Sequence, residues 1–309
     1  MGAHKSQQLN LEGENLDGVY HALPFLKAYN LHRKNLAKGR VGVIGGGDSA
    51  IDAARVALRQ NEVDSVTIIY RRTQNEMPAL PEQIKEALQE GIKLLTLTSP
   101  IRILSKGKQI VGVECIKNRL GEYDSSGRRV PVPIPGSEHK IELDTLIVAI
   151  GDEPDIDFIL SMDIKMDKKG TIIVNKNTLA TSRKGVLAGG DVVTGPNTVI
   201  DAIASGKKAA TMIDRYLQGE ELDQVGKIRL PQKYIPPTML TDEELTMIGR
   251  PAIPTIPIEL RKTSFTEVEK SLSVAEATRE AKRCLRCDLE FTMHKNEENV
   301  SMATEGETK

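Results

Sequence analysis

Arg40-Val41-Gly42-Val43-Ile44-Gly45-Gly46-Gly47-Asp48-Ser49-Ala50-Ile51-Asp52-Ala53-Ala54-Arg55 is the stretch that decides the fold. Its opening residues, Arg40–Ile44, are short, apolar and partly β-branched, which predicts a strand. Gly45–Gly47 predicts a turn. Ala50, Ala53, Ala54 and Ala57 recur at helical spacing and predict a helix over Asp48–Gln60, with a face small enough to lie close against a sheet. A second β-branched run, Val66–Tyr70, completes strand, turn, helix and strand within roughly thirty residues, the size of a βαβ crossover.

Inside that unit, Gly45-Gly46-Gly47-Asp48-Ser49-Ala50 fits the pattern G-x-G-x-x-A. So tight a turn needs Gly45, Gly47 leaves room for a pyrophosphate to reach backbone N–H groups at the helix start, and Ala50 permits close helix–strand contact. A glycine turn alone can be merely structural; here the flanking elements are those the mechanism demands. The expectation is a dinucleotide site using Gly45, Gly47, Asp48, Ser49 and Ala50. The next strand ends in Tyr70-Arg71-Arg72-Thr73, where an NAD site usually carries an acid for the ribose hydroxyls. Two adjacent guanidiniums suit a 2′-phosphate instead, through charge-assisted hydrogen bonds. NADP(H) is therefore favoured over NAD(H), with NAD(H) and a plain solvated turn left as alternatives.

Outward from this centre, the pattern predicts a helix at Pro81–Glu90, a strand at Ile92–Leu97, and antiparallel strands at Ile101–Leu104 and Ile110–Lys117. Residues 118–139 read as a long polar hairpin loop, and Leu143–Ile150 as a buried strand stopping at Gly151. Farther on, a strand at Val186–Ala188 runs into Gly189-Gly190-Asp191, and a helix follows over Asn197–Leu217 with Ile200, Ile203, Ala204, Ile213 and Leu217 on one side. Asp191 could accept from a ribityl or ribose hydroxyl, and the helix start beside Thr198 could meet a pyrophosphate oxygen. Asp191 reads equally as a turn or capping residue. Residues 222–262 are rich in Pro and predict an extended arm, residues 272–287 a helix, and the chain after Asn296 a frayed end.

Composition narrows the classes. With 42 basic against 43 acidic side chains and a net charge of -1, no field draws the chain to nucleic acid or a lipid surface. No run is long enough to span a membrane and no signal-peptide core opens the chain, so a cytoplasmic protein is expected. Three cysteines, Cys115, Cys284 and Cys287, do not make a secreted disulfide framework. Cys284 and Cys287 stand at a spacing suited to zinc, iron or a redox pair, though two thiols do not complete a tetrahedral site. Cys115, among apolar neighbours, reads as core. His21, His32, His139 and His294 are scattered, and no side chain is nominated as a catalytic acid or base.

GVIGGGDSAIDAAR (42–55), YRRTQNEMPA (70–79), GRRVPVPIPGSE (127–138), LIVAIGDEPD (146–155), VLAGGDVVTGPNTVIDAIASGKKAA (186–210) and EAKRCLRCDLE (280–290) together resemble the small (β) subunit of NADPH-dependent glutamate synthase and its relatives. These are FAD/NAD(P)-dependent pyridine nucleotide oxidoreductases related to thioredoxin reductase. The resemblance implies an α/β, Rossmann-like flavoprotein with two dinucleotide-binding domains, the NAD(P) domain inserted into a partial FAD domain. Residues 1–35 would be a residual FAD-domain segment, 36–150 the NAD(P) domain, 151–220 the C-terminal part of the FAD domain, and 221–309 an arm and helix carrying the cysteine pair. Gly45, Gly47, Ala50, Arg71 and Arg72 would then serve NADPH, Gly190, Asp191 and Thr198 would serve FAD, and Gly151 would mark the return strand. Asp152 stands where relatives commonly have Gln. The strand–GxGxxG–helix unit that opens the FAD domain of relatives is absent ahead of the match. A partner subunit is therefore expected to supply it and to cover an apolar edge. The implied activity passes a hydride from NAD(P)H to FAD and electrons onward to iron–sulfur centres or a partner, with a [4Fe–4S] cluster at Cys284 and Cys287 shared with that partner as an open option. The alternative is a non-catalytic NADP-binding or assembly subunit of a larger complex.

Overall fold

A computed structural model describes residues 2–124, 127–222, 241–243, 249–282 and 284. Residues 1–225 with 258–265 make one compact unit, and 226–257 with 266–309 a second.

The first unit is organised by a five-stranded sheet in the order β2 (Val19–His21), β10 (Thr145–Val148), β3 (Gly39–Ile44), β4 (Val63–Ile69) and β5 (Lys93–Leu95), parallel throughout. Val41–Ile44 lies in register with Val66–Ile69 on one side and Thr145–Val148 on the other. Side chains alternate across these strands, so each feeds two cores. Val41, Val43, Val66, Ile68 and Ile147 pack with Phe25 of α1 (Ala22–His32), Ile51, Ala53, Ala54 and Ala57 of α2 (Asp48–Leu58), and Ile84 of α3 (Pro81–Gln89). The alanine face of α2 is fully buried, as its spacing predicts. On the opposite face Ile44, Ile69 and Leu146 pack with Ile103, Ile110, Val113 and Cys115 of a second sheet.

That second sheet is antiparallel: β6 (Thr98–Lys106) and β7 (Gln109–Tyr123), with β8 (Arg129–Pro133) and β9 (His139–Glu142) also on β7. Here the structure departs from the sequence expectation. Residues 118–139 are not one loop, because β7 continues to Tyr123 and pairs with Arg129–Pro133. Pro131 and Pro133 mask the strand in the sequence; β8 lies at the sheet edge, where a missing N–H costs no ladder bond.

Near the chain start, β1 (Ala3–Ser6) pairs antiparallel with β11 (Asp152–Pro154), and the Gln7 amide donates to the Gly151 carbonyl at 3.0 Å. Residues 7–151 thus begin and end side by side. A third apolar cluster, Ile159, Ile164, Ile172 and Val192, follows that pair. The strand expected at Val186–Ala188 is reduced to an isolated bridge between Ala180 and Leu187. After the short α4 (Asp191–Thr194) comes α5 (Val199–Gln218), capped by Thr198, whose hydroxyl accepts from the Asp201 amide at 3.1 Å, and ended by Gly219 at φ 75°. Its apolar side is largely uncovered: Ile200 is 77% exposed and Leu217 76%.

Within the stretch expected as an extended arm, α6 (Ile258–Thr263) is helical and joins the first unit. There Arg59 Nε donates to the Ser264 carbonyl at 3.0 Å, and the rings of Tyr29 and Phe265 stack with centroids 4.3 Å apart. In the second unit, Thr255 bridges Glu269, and α7 (Val274–Lys282) opens on a Ser273–Glu276 capping box. Cys287 and the tail after Asn296 lie outside the described residues. Among those described, no helix is long and apolar enough to cross a membrane.

Candidate functional site

Where β10, β3 and β4 end, a cleft of about 470 Å³ opens, lined by Gly45–Gly47, Ser49, Tyr70, Arg71, Arg128, Gly151 and Asp152. The carboxyl edge of a parallel sheet is where such folds hold ligands, because strand ends and helix starts converge there. Gly45 adopts φ +148°, donates its N–H to the Ile69 carbonyl at 3.1 Å, and would place a Cβ 2.1 Å from the Ala149 oxygen. A Cβ on Gly46 would stand 2.5 Å from the Tyr70 ring, whose hydroxyl donates to the Glu76 carbonyl at 2.7 Å. Both glycines are therefore required by packing. Gly47 differs: a Cβ there would meet only Pro78, at 3.8 Å. It is the N-cap of α2, no side chain caps the helix, and the first amides, at Asp48 and Ser49, have no intrahelical acceptor. The positive end of α2 and those amides are thus left facing a space that a side chain would narrow, and this fits a pyrophosphate. Asp48 is occupied otherwise, its carboxylate accepting from the Leu80 amide at 3.1 Å.

The two arginines after β4 do different things. Arg72 is only 4% exposed; its Nε donates to the Arg129 carbonyl at 2.5 Å and its Nη2 to Asp124 Oδ2 at 2.9 Å. Arg71 is exposed on the cleft, and its guanidinium hydrogen-bonds to none of the described residues. Desolvation and the like charges of Arg72 and Arg128 hold its pKa below the usual guanidinium value. No carboxylate closes β4, in keeping with a ribose phosphate there.

At the cleft's other end, Gly151 has φ +119° and Asp152 accepts from Ser6 Oγ at 3.0 Å. Burial pushes the Asp152 carboxyl up, against the opposing pull of that hydrogen bond and of His21. Sequence reasoning did not single out Tyr70, Ser6 or Arg128 as site residues: Tyr70 enters through the packing of its ring on Gly46, Ser6 through the β1–β11 pairing and Arg128 through the β7–β8 hairpin.

A second cavity, about 790 Å³, is lined by Gly189, Gly190, Asp191, Thr198, Val199 and Ile203 among others. Gly190 has φ +74° and a Cβ there would meet only Ala202, at 3.9 Å, so backbone is open to a ligand as an FAD pyrophosphate would need. Thr198 also donates to the Asp201 carboxylate at 2.6 Å. Gly190, Asp191 and Thr198 thus share one cavity, separate from the glycine-turn cleft.

The cysteines do not form a metal centre among the described residues. Cys284 is exposed, Cys287 lies outside them, and no group of three or more His, Cys, Asp or Glu side chains could hold an ion. Cys115 is fully buried, and burial pushes its thiol up to about 12, which makes it inert core.

A doubly faced parallel sheet with a glycine turn at its carboxyl edge, followed by a second glycine-bearing cavity, defines a Rossmann-like flavoprotein fold with two dinucleotide-binding domains, that of thioredoxin reductase. The chain belongs to the pyridine nucleotide-disulphide oxidoreductase family, whose profile matches residues 1–206. It is 39% identical over 93% of its length to the NADP(+)-dependent formate dehydrogenase subunit beta of Moorella thermoacetica, covering 41% of that protein. It is 34% identical over 93% to the NADPH-Fe(3+) oxidoreductase subunit beta of Geobacter sulfurreducens, covering 47%, and 35% identical over 71% to the glutamate synthase [NADPH] small chain of Escherichia coli, covering 49%. The chain spans less than half the length of these curated relatives. Among solved structures, T. acidophilum thioredoxin reductase matches with TM-score 0.54 at 26% identity, over 71% of this chain and 64% of that one. Mycobacterium tuberculosis FprA in complex with NADPH matches in fold with TM-score 0.55 at 19% identity, over 71% and 62%.

Proposed function

We propose that this chain is the NADPH-binding part of a flavin-dependent oxidoreductase that works with a partner subunit. The observation that carries the reading is the cleft beside Gly47: orphaned helix amides stand at its middle, an uncommitted guanidinium at the end of β4, and no acid takes that position. The names of the three relatives all specify NADP(+) or NADPH, and each is a subunit or chain of something larger.

In this reading residues 36–150 are the NADP domain, and residues 1–35 with 151–220 belong to the FAD domain. Amides of Asp48 and Ser49 bind the pyrophosphate, Gly47 gives it access, and Arg71 meets the 2′-phosphate while Arg72 holds its surroundings in place. Gly151 and Asp152, which line the same cleft, would hold the nicotinamide, the Asp152 carboxylate accepting from its carboxamide N–H. Gly190, Asp191 and Thr198 bind FAD. When bound, the two cofactors would supply the redox chemistry, hydride transfer between nicotinamide and flavin; the chain's residues bind, orient and exclude water, and none has to transfer a proton. The apolar side of α5 is the surface the partner covers.

The test is a visible spectrum of the natively purified protein, with flavin identified after denaturation, followed by titration with NADPH and NADH. Bound FAD bleached by NADPH in preference to NADH is expected. A protein that binds NADP(H) but neither carries nor takes up flavin, with its partner supplied, would turn the reading toward a non-catalytic nucleotide-binding or assembly subunit.

A further inference from the structure

The glycine-turn cleft runs across the ends of three strands, and its charge changes along that run. β4, β3 and β10 are neighbours in the sheet, so Arg71, the Gly45–Gly47 turn, and Gly151 with Asp152 follow one another along the cleft. Backbone contacts keep that order. Gly45 sits against Ala149, whose amide donates to the Ile44 carbonyl at 2.8 Å, and gives its own amide to Ile69 on the other side. The middle carries the positive end of α2, and the β4 end carries a guanidinium. At the β10 end stands Asp152, the one carboxylate in a lining whose other charged side chains are arginines. It is half-buried and held in place: Ser6 lies opposite it in the β1–β11 pairing and donates from Oγ at 3.0 Å. That bond comes from a neutral hydroxyl and leaves the charge intact. Among the described residues no ion pair engages Asp152, and His21, at the end of β2, is the ionisable neighbour that acts on it.

We infer that Asp152 makes this cleft hold NADP+ more tightly than NADPH, because its carboxylate stands at the end where the nicotinamide ring is positive only when oxidised. This preference rests on the NADPH reading given above, with the pyrophosphate at Gly47 and the nicotinamide beside Gly151. The two forms of the nucleotide share every phosphate and ribose, so the arginines and the α2 amides act on both alike. They differ at the ring, which is cationic when oxidised and neutral when reduced. A half-buried carboxylate tells those two apart by Coulomb attraction, and an uncharged amide in its place does not. The consequence reaches the reaction itself. A site that favours the oxidised form makes the reduced form a better hydride donor there than in solution. Each tenfold in the ratio of dissociation constants lowers the two-electron potential of the bound couple by about 30 mV.

The experiment is to titrate the full chain with three probes: NADP+, tetrahydro-NADP and adenosine 2′,5′-bisphosphate. Tetrahydro-NADP has a neutral ring and cannot give up a hydride, so bound flavin does not consume it; the bisphosphate lacks the nicotinamide half. Wild type, Asp152→Asn and Asp152→Glu are compared, with a thermal melt of each. Wild type should bind NADP+ roughly threefold to thirtyfold more tightly than the tetrahydro analogue, the range for a unit charge acting across a half-open cleft. Asp152→Asn keeps an acceptor for Ser6 and for a carboxamide. It should melt with wild type, bring the ratio close to one and leave bisphosphate affinity unchanged. Asp152→Glu should keep NADP+ ahead. Equal binding of NADP+ and the analogue by wild type, or an unchanged ratio in Asp152→Asn, overturns the preference. So does an Asp152→Glu variant that loses the ratio as fully as Asp152→Asn, since shape and not charge would then set it. In each of these cases the NADPH reading survives. If neither nucleotide nor the bisphosphate binds wild type, the NADPH reading fails and takes the preference with it.

Discussion

Gly45, Gly46 and Gly47 are adjacent, yet each is a glycine for a different reason. A Cβ on Gly45 meets backbone, one on Gly46 meets the Tyr70 ring, and one on Gly47 enters the cleft. Gly46→Ala should therefore cost stability, about 1–3 kcal/mol as an overpacked core. Gly47→Ala should melt with wild type and still lose nucleotide affinity, because the methyl occupies the approach to the Asp48 and Ser49 amides. Paired thermal melts and NADP+ titrations separate the two; equal melts with equal affinity for Gly47→Ala would remove it from the site. These glycines were legible in the sequence because turn, strand and helix start are local. The same holds for Arg71 at the end of β4. Tyr70 beneath Gly46, and Arg128 beside Arg71, were not legible, since they arrive through a side-chain packing choice and a hairpin that no nearby residue announces. Arg72 could not be told from Arg71 by sequence either: the two differ only in which way their neighbours let them point.

At the scale of elements, α2 and α3 are joined by a buried carboxylate. Glu90 receives Arg55 Nη2 at 2.6 Å, Arg55 Nε at 3.1 Å and Arg59 Nη1 at 2.9 Å, with no exposed side-chain surface of its own. Burial pushes its pKa up, but the hydrogen bonds and charges of the two arginines outweigh that and leave it below the usual glutamate value. A depressed folded-state pKa means stability that is fully present above the unfolded pKa and lost as pH falls through the folded one. Glu90→Gln should cost about 3–5 kcal/mol at neutral pH, the usual result of removing one partner from a buried pair. The gap from wild type should narrow in acid below the ordinary carboxylate range. Urea melts at several pH values read both, and a gap independent of pH would show that the charge of Glu90 is not what holds the helices. The helices themselves were well marked in sequence: Asp48 starts α2 as expected, and the end comes at Leu58 in place of Gln60, where fraying shifts boundaries. Strand ends were less legible. The tail of β7 and all of β8 hid behind prolines tolerated at an edge, and Val186–Ala188 shrank to a bridge because only Leu187 finds a paired partner, at Ala180.

Over the whole molecule, the apolar side of α5 stands out. Val199, Ile200, Ile203, Ile213 and Leu217 lie on it, all exposed, although the spacing of the last four is that of a buried face. Replacing Ile200 and Leu217 by Lys should leave the melting temperature unchanged, since neither is packed, and should reduce self-association of the isolated chain in sedimentation experiments. A melt lowered by several degrees would mean instead that this side contributes to the chain's own fold. Sequence periodicity shows which side of a helix is apolar; it is silent on whether the covering layer belongs to the same chain. The pairing of β1 with β11 has a different reach. Gln7 and Gly151 are joined by a hydrogen bond, and the two large apolar clusters draw only on residues 9–149. Residues 7–151 are thus a cassette whose two ends leave through one doorway. Excised, they should melt cooperatively and keep their preference for NADP+ over NAD+; spliced into a surface hairpin of an unrelated protein, they would ask of the host only a gap two strands wide.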